Sequence, residues 1–246
     1  MLSERCMRNG LPTRGFEEQT RYGTRWAHFN AIWLILAVFA AGINGIADAV
    51  AKPIKVLAIG TSLTQGYNLP PGTDFTAVLQ AQLKAKGHDV AIVNAGVSGD
   101  TSAGGLARLE WALSADVAGA IVEFGSNDAL RGLDVAQTRT NLDQILAKLK
   151  ARKIVVLFTG MKSPRNLGPE YVAEFDALYP ELAKKHDVLF YPFFLEGVAA
   201  NLKFNQADGI HPNEAGTQVI VKRILPYAER LLGQITSKPT AQPATQ

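Results

Sequence analysis

Short apolar runs alternate with longer amphipathic segments along most of this chain. The runs are residues 55–60 (KVLAIG), 89–94 (DVAIVN), 119–124 (GAIVEF), 153–159 (KIVVLFT) and 187–191 (DVLFY). Their continuous hydrophobicity, rich in branched residues, predicts strands covered on both faces, as in a parallel sheet. Between and after them, residues 74–86, 101–113, 134–151, 169–185 and 214–232 read as helices. Asp74 offers a start and Gly87 a stop for the first, and Asp100 or Thr101 a cap for the second. In the third, Val135, Leu142, Ile145, Leu146 and Leu149 fall near one face, and Pro169 opens the fourth where a missing N–H costs little. Strand and helix thus alternate five times. Right-handed crossovers fold such a chain into an α/β three-layer sandwich with a doubly wound, five-stranded parallel sheet. In that architecture ligands collect outside the carboxyl ends of the strands, near the switch in strand order. Every candidate motif can be tested against that location.

The first fifty or so residues follow a different pattern. Residues 31–43 (AIWLILAVFAAGI) form an apolar run preceded by Arg5, Arg8, Arg14, Arg21 and Arg25. The run matches a signal-peptide core and is short for a bilayer span. Ala47-Asp48-Ala49 is a small-x-small cleavage pattern that would leave Val50 as the new N-terminus; Ala49-Val50-Ala51 is a second such site, and Met7 a later start. The expected organisation is a signal peptide at 1–49, one domain at 50–233 and a disordered tail at 234–246, which holds Pro239 and Pro243. An exported protein follows, periplasmic or secreted, with no stable membrane span after cleavage. An uncleaved N-terminal anchor is the competing expectation. No cysteine follows the apolar run, which argues against a lipid anchor.

Composition narrows the classes further. The 246 residues are 47% hydrophobic and 19% charged, a foldable globular balance. The net charge of +3 is scattered, with no basic run interleaved with aromatics, so no nucleic-acid partner is expected. Cys6, the sole cysteine, lies in the leader. The domain therefore has no disulfide, thiolate metal site or cysteine nucleophile. A monomer is the default.

Four segments at predicted strand ends carry the chemistry. Gly60-Thr61-Ser62-Leu63-Thr64 follows the first strand and would present a serine hydroxyl on a tight turn, though a helix-cap serine reads the same way. In the stretch from Asn94 to Thr101, glycines let backbone N–H groups approach an oxyanion, and an ordinary turn is the alternative. Gly125-Ser126-Asn127-Asp128 offers an amide donor at what is otherwise a turn sequence. Asp208-Gly209-Ile210-His211-Pro212 places an acid where a curled loop lets it orient the imidazole of a general base. His88, in a turn, and His186, at a helix end that favours a cation, read as structural. Acyl transfer needs a nucleophile, a base, an orienting acid and oxyanion donors, and all four parts are present. No Gly-x-Ser-x-Gly elbow, phosphate-binding Gly-x-x-x-x-Gly-Lys or His-Glu-x-x-His helix competes with them.

With these four blocks in order, the chain resembles the SGNH (GDSL) hydrolase family from about Lys55 to Leu232. Within it, the chain is most similar to the exported bacterial arylesterase, acyl-CoA thioesterase and lysophospholipase group. The resemblance implies a flavodoxin-like sheet, Ser62 as nucleophile, and Asp208 and His211 as the rest of a triad. It also implies an oxyanion hole from the Ser62 and Gly99 N–H groups and the Asn127 amide, with no metal or cofactor. The substrate would be a small acyl ester or thioester. Thr61 departs from the aspartate usual in Gly-Asp-Ser-Leu; it can hydrogen-bond but carries no charge. Activity is expected within about a hundredfold of an aspartate-bearing relative, under roughly 3 kcal/mol. The loop after the fourth strand, with Met161, Pro164 and Leu167, is a candidate acyl-binding wall, a solvated loop being the equal alternative. Tyr171 and Phe175 read as core that could add to that wall. Carbohydrate O-acetyl esterase, acyl transfer to an acceptor other than water, and non-catalytic binding module are the rival functions.

Overall fold

A computed structural model describes residues 52–237. The strands are β1 (Ile54–Gly60), β2 (Val90–Gly96), β3 (Val117–Glu123), β4 (Val155–Thr159) and β5 (Leu189–Tyr191). All pair in parallel, in the order β2-β1-β3-β4-β5. The helices are α1 (Ser62–Gln65), α2 (Phe75–Ala85), α3 (Ser102–Ala112), α4 (Ser126–Leu130), α5 (Val135–Ala151), α6 (Pro169–His186) and α7 (Glu214–Ser237). The expected doubly wound α/β sheet is present. Its strand order reverses between β1 and β3, the place where such sheets bind ligands.

Helix α2 packs against α7, while α3, α5 and α6 pack in succession as the other layer. Leu57, Ile59, Ile121 and Phe158 of the sheet are buried with Leu79, Leu109, Ile145, Leu178 and Ile224 of the helices. Strands β1, β3 and β4 are covered along most of their length. The expectation of two covered faces fails at the edge, where Val93 of β2 is 41% exposed. An edge strand has one neighbour, and the helical layers do not extend past it.

Caps set the helix starts. Asp74 accepts from the N–H groups of Thr76 and Ala77, Thr101 from Gly104, and Asp134 from Ala136 and Gln137. Helices α1 and α4 were not anticipated; at 4 and 5 residues they are too short to show periodicity. At its end α7 continues to Ser237, so the tail does not begin at 234. Gly233 adopts no left-handed stop conformation, and Ile235 packs on the core, which carries the helix onward. The expected signal peptide lies outside the described residues. Among those described, no helix is long and apolar enough to cross a membrane.

Candidate active site

Strand β1 ends at Gly60, and the chain turns at once into α1. Thr61 caps that helix, its Oγ1 accepting from the Leu63 N–H at 3.3 Å. Gly66, at φ 80°, closes it in the left-handed region. Ser62 is therefore a first-turn residue, and its N–H belongs to the donors a helix leaves unpaired. Beneath the turn lies Glu123, the last residue of β3, fully buried. Its Oε2 accepts from Thr61 N at 2.9 Å, Thr61 Oγ1 at 3.0 Å and Thr64 Oγ1 at 2.8 Å. Burial pushes this carboxyl up to about 7, against the pull of those hydrogen bonds. Thr61 thus fills the position where the resembled family has an aspartate with a neutral donor to a neighbouring carboxylate.

The loop that carries Asp208 and His211 is closed by its own backbone. Asn205 and Pro212 form an antiparallel bridge, and Gln206 N–H donates to the His211 carbonyl at 2.8 Å. Inside this loop, Asp208 Oδ1 accepts from the N–H groups of Ile210 and His211, both at 3.0 Å. Its Oδ2 lies 2.7 Å from His211 Nδ1. Because an ionised carboxylate only accepts, Nδ1 carries the proton and Nε2 faces Ser62 Oγ, 2.9 Å away, as an acceptor. The His211 backbone N–H, and then its ring, hold the Asp208 carboxyl down at about 2. Any stability it contributes is present above the usual carboxylate range and is lost as pH falls through about 2. Two contacts fix the loop to the segment just after the Ser62 turn. The Tyr67 ring packs on His211 with centroids 4.7 Å apart, and Gln206 Nε2 donates to the carbonyls of Tyr67 and Pro212, each at 2.9 Å.

The other two segments arrive from β2 and β3. Gly99 sits at φ 80°, a conformation glycine adopts without strain, and its carbonyl accepts from Arg131 Nη2 at 2.7 Å. Asn127 Nδ2 donates to the Asp100 carbonyl at 2.7 Å, which orients the amide and leaves its second hydrogen available. Asp128, buried, accepts from Ser102 N at 2.9 Å and Ser102 Oγ at 2.5 Å, tying α4 to the start of α3. Arg108 braces the set by donating to Gly60 O at 2.9 Å, Ala95 O at 2.8 Å and Asp100 Oδ2 at 2.6 Å.

Ser62, Gly99, Asn127, Asp208 and His211 all line one cavity of about 820 Å³. Its apolar wall includes Leu63, Leu130, Phe193, Leu195 and Ile210, together with Met161 and Pro164 of the candidate loop. Leu167, the third candidate, is not among the residues lining the cavity; it ends a single 3-10 turn, Arg165–Leu167, in which Arg165 is the residue that lines the cavity. Phe175 is fully buried in the core, and Tyr171 stacks on it with its hydroxyl on the Leu133 carbonyl, so neither reaches the cavity. His186 meets Asp143 at 2.6 Å, and His88 lies 3.7 Å from Glu229; neither lines the cavity. Among the described residues no cluster of His, Cys, Asp and Glu is placed to hold a metal ion.

Several site residues escaped the sequence reading. Glu123 carried a usable signal, as the single charge inside the buried run GAIVEF. Tyr67, Phe193, Leu195 and Ile210 carried none, because only folding brings their loops together.

A parallel sheet with a hydrogen-bonded serine, histidine and aspartate at the switch in its strand order defines a serine-hydrolase class of site. The chain belongs to the GDSL-like lipase/acylhydrolase family, whose sequence model matches residues 58–219, and it is a hydrolase acting on esters. It is 39% identical over 178 residues to "Esterase TesA" of Pseudomonas aeruginosa, covering 72% of this chain and 89% of that protein. To "Thioesterase 1/protease 1/lysophospholipase L1" of Escherichia coli K12 it is 39% identical over 190 residues, 77% of this chain and 85% of the other. Among solved structures, AlinE4, an SGNH-hydrolase family esterase, superposes with a TM-score of 0.63 at 42% identity, covering 75% of this chain and 99% of that one.

Proposed function

We propose that this protein hydrolyses aryl and short-to-medium acyl esters, and acyl thioesters, through an acyl-enzyme on Ser62. The observation that carries this reading is the unbroken line from Asp208 Oδ2 through His211 to Ser62 Oγ, at 2.7 and 2.9 Å, beside a largely apolar cavity. His211 takes the Ser62 proton as Oγ attacks the carbonyl carbon. The negative charge that develops on the carbonyl oxygen is held by the N–H groups of Ser62 and Gly99 and the Asn127 amide. His211 then protonates the departing alcohol or thiol. Water, deprotonated by the same imidazole, releases the acid and restores Ser62. An apolar wall suits an acyl chain better than a sugar, which favours this substrate class over O-acetylated carbohydrate. The names of the relatives, esterase, thioesterase and lysophospholipase, point the same way.

A fluorophosphonate should label Ser62 and block turnover of a chromogenic short-chain ester in proportion to labelling. Labelled protein that keeps its turnover would sink the assignment. The leader further supports export. Protein recovered from the periplasm or the medium should begin at Val50 on N-terminal sequencing, and recovery only of a membrane-bound, full-length chain would favour the anchor instead.

A further inference from the structure

Among the buried ionisable groups that the mechanism above does not use, Glu123 stands next to the nucleophile. Glu123 is fully buried directly under the nucleophile turn, and among the described residues its carboxylate accepts hydrogen bonds from donors of that turn, Thr61 and Thr64. Thr61 Oγ1 accepts from Leu63 N–H and gives its own proton to the carboxylate. The direction of this chain is therefore set by an acceptor-only group at its end. Were Glu123 protonated, its hydroxyl would have to donate to Thr61 Oγ1 or Thr64 Oγ1, and whichever hydroxyl received it would lose the carboxylate as acceptor for its own proton. An orphaned proton in a dry site is costly enough for the turn to shift instead. The packing leaves little slack, since even a methyl group on Gly60 would lie 2.6 Å from Glu123 Oε2 and 2.1 Å from Thr64 Oγ1.

We infer that Glu123 is a positioning residue for the nucleophile, and that the Ser62 turn is competent only while this buried carboxylate is ionised. The role rests on Ser62 being the nucleophile. Burial brings the proton affinity of Glu123 to about 7, so its charge disappears as pH falls through neutrality. The ionisable groups around it are few. Tyr179 of α6 is pushed well up by its own burial, by Asp128 of α4 and by Glu123. Arg108 of α3 is held on the Gly60 carbonyl, and His211 lies beyond Ser62. None of them is bonded to the carboxylate.

Activity and stability should respond to this group in opposite directions. Its folded-state value is raised above the ordinary 4.5, so the native fold gains from its protonation. That stability is present at low pH and is lost as pH rises through about 7. The active geometry needs the charged form and fails as pH falls. Catalysis on the acid side then requires two deprotonations, of Glu123 and of the histidine base, and log kcat/KM should climb with a slope near 2 rather than 1.

The test compares the pH profiles of the full chain with those of Glu123→Gln, Thr64→Val and Ser62→Ala on one chromogenic ester, with thermal unfolding of each. Glu123→Gln should reduce the limb to a slope of about 1 and lower kcat about tenfold or more, with KM nearly unchanged. Thr64→Val removes one donor to the charged form, so the acid limb should move to higher pH by on the order of half a unit. A parent slope of 1, or a Glu123→Gln enzyme with the parent profile and kcat, overturns the inference. If Glu123→Gln does not fold, the Thr64→Val shift decides alone, and an unmoved limb overturns it. Ser62→Ala separates the two failures: an inactive variant leaves the nucleophile standing when Glu123 fails, whereas an active one removes both.

Discussion

Replacing Ser62 by alanine should lower kcat for a chromogenic ester by at least about 10⁴-fold, while the protein unfolds at nearly the parent temperature. The rate falls because the substitution deletes the hydroxyl that meets His211 Nε2 at 2.9 Å, and with it the proposed acyl-enzyme route. The base itself remains in place, since Asp208 and the loop backbone hold it independently of Ser62. The residual rate comes from the oxyanion donors and the cavity acting on water alone. Stability should change by less than about 1 kcal/mol, because a single hydroxyl is removed and no cavity of consequence is opened. Steady-state kinetics and a melting curve on the same preparation suffice. A variant within about tenfold of the parent would show that the nucleophile lies elsewhere.

Gly60→Ala should instead damage the fold and the site together. A β-carbon there would meet Thr64 Oγ1 at 2.1 Å, Glu123 Oε2 at 2.6 Å and the Glu123 backbone carbonyl oxygen at 2.6 Å. The side-chain contacts could yield by rotation, but the third belongs to β3, which is paired with β1 at this very position. Relief requires parting the central strands or pushing the nucleophile turn upward, and overpacking of this kind costs about 3 kcal/mol or more. For a domain of this size that lowers the melting temperature by roughly 6–12 °C. Because Thr64 and Glu123 both move, the folded fraction should also turn over ester at least about tenfold more slowly. A variant with the parent melting temperature and kcat would mean that the turn is far more compliant than its contacts indicate.

The parts legible beforehand share a physical origin. Continuous apolar runs, period-3.6 patterns, capping residues and the spacing of turns act within about a dozen neighbouring positions. They located the strands and the five longer helices to within a few residues, but missed the short helices α1 and α4 and the stretch 233–237, where Ile235 finds the core and carries α7 past a glycine. The four reactive segments were visible for the same reason. Three lie where a strand ends and the fourth just before the last helix, and Asp208 reaches His211 by a local curl, through contacts only three positions apart.

What was not legible depends on neighbours distant in sequence. Ser62 and His211 are 149 positions apart, and nothing local measures the 2.9 Å between them. Leu167 reads as well for a wall residue as Met161, yet of the two only Met161 lines the cavity. Phe193, Leu195 and Ile210 became wall only because the loops after β5 meet those after β1 and β3. Thr61 read as a departure without a reason, and only the adjacency of β1 and β3 supplied Glu123 as its partner. The sequence by itself determined which segments form strands, which form helices and which chemistry sits between them, because those choices are settled by short-range sterics, capping and hydrophobic periodicity. Only the tertiary structure decided which residues share the pocket and which carboxylate lies beneath the nucleophile, because strand order and crossover packing are collective properties of the whole core.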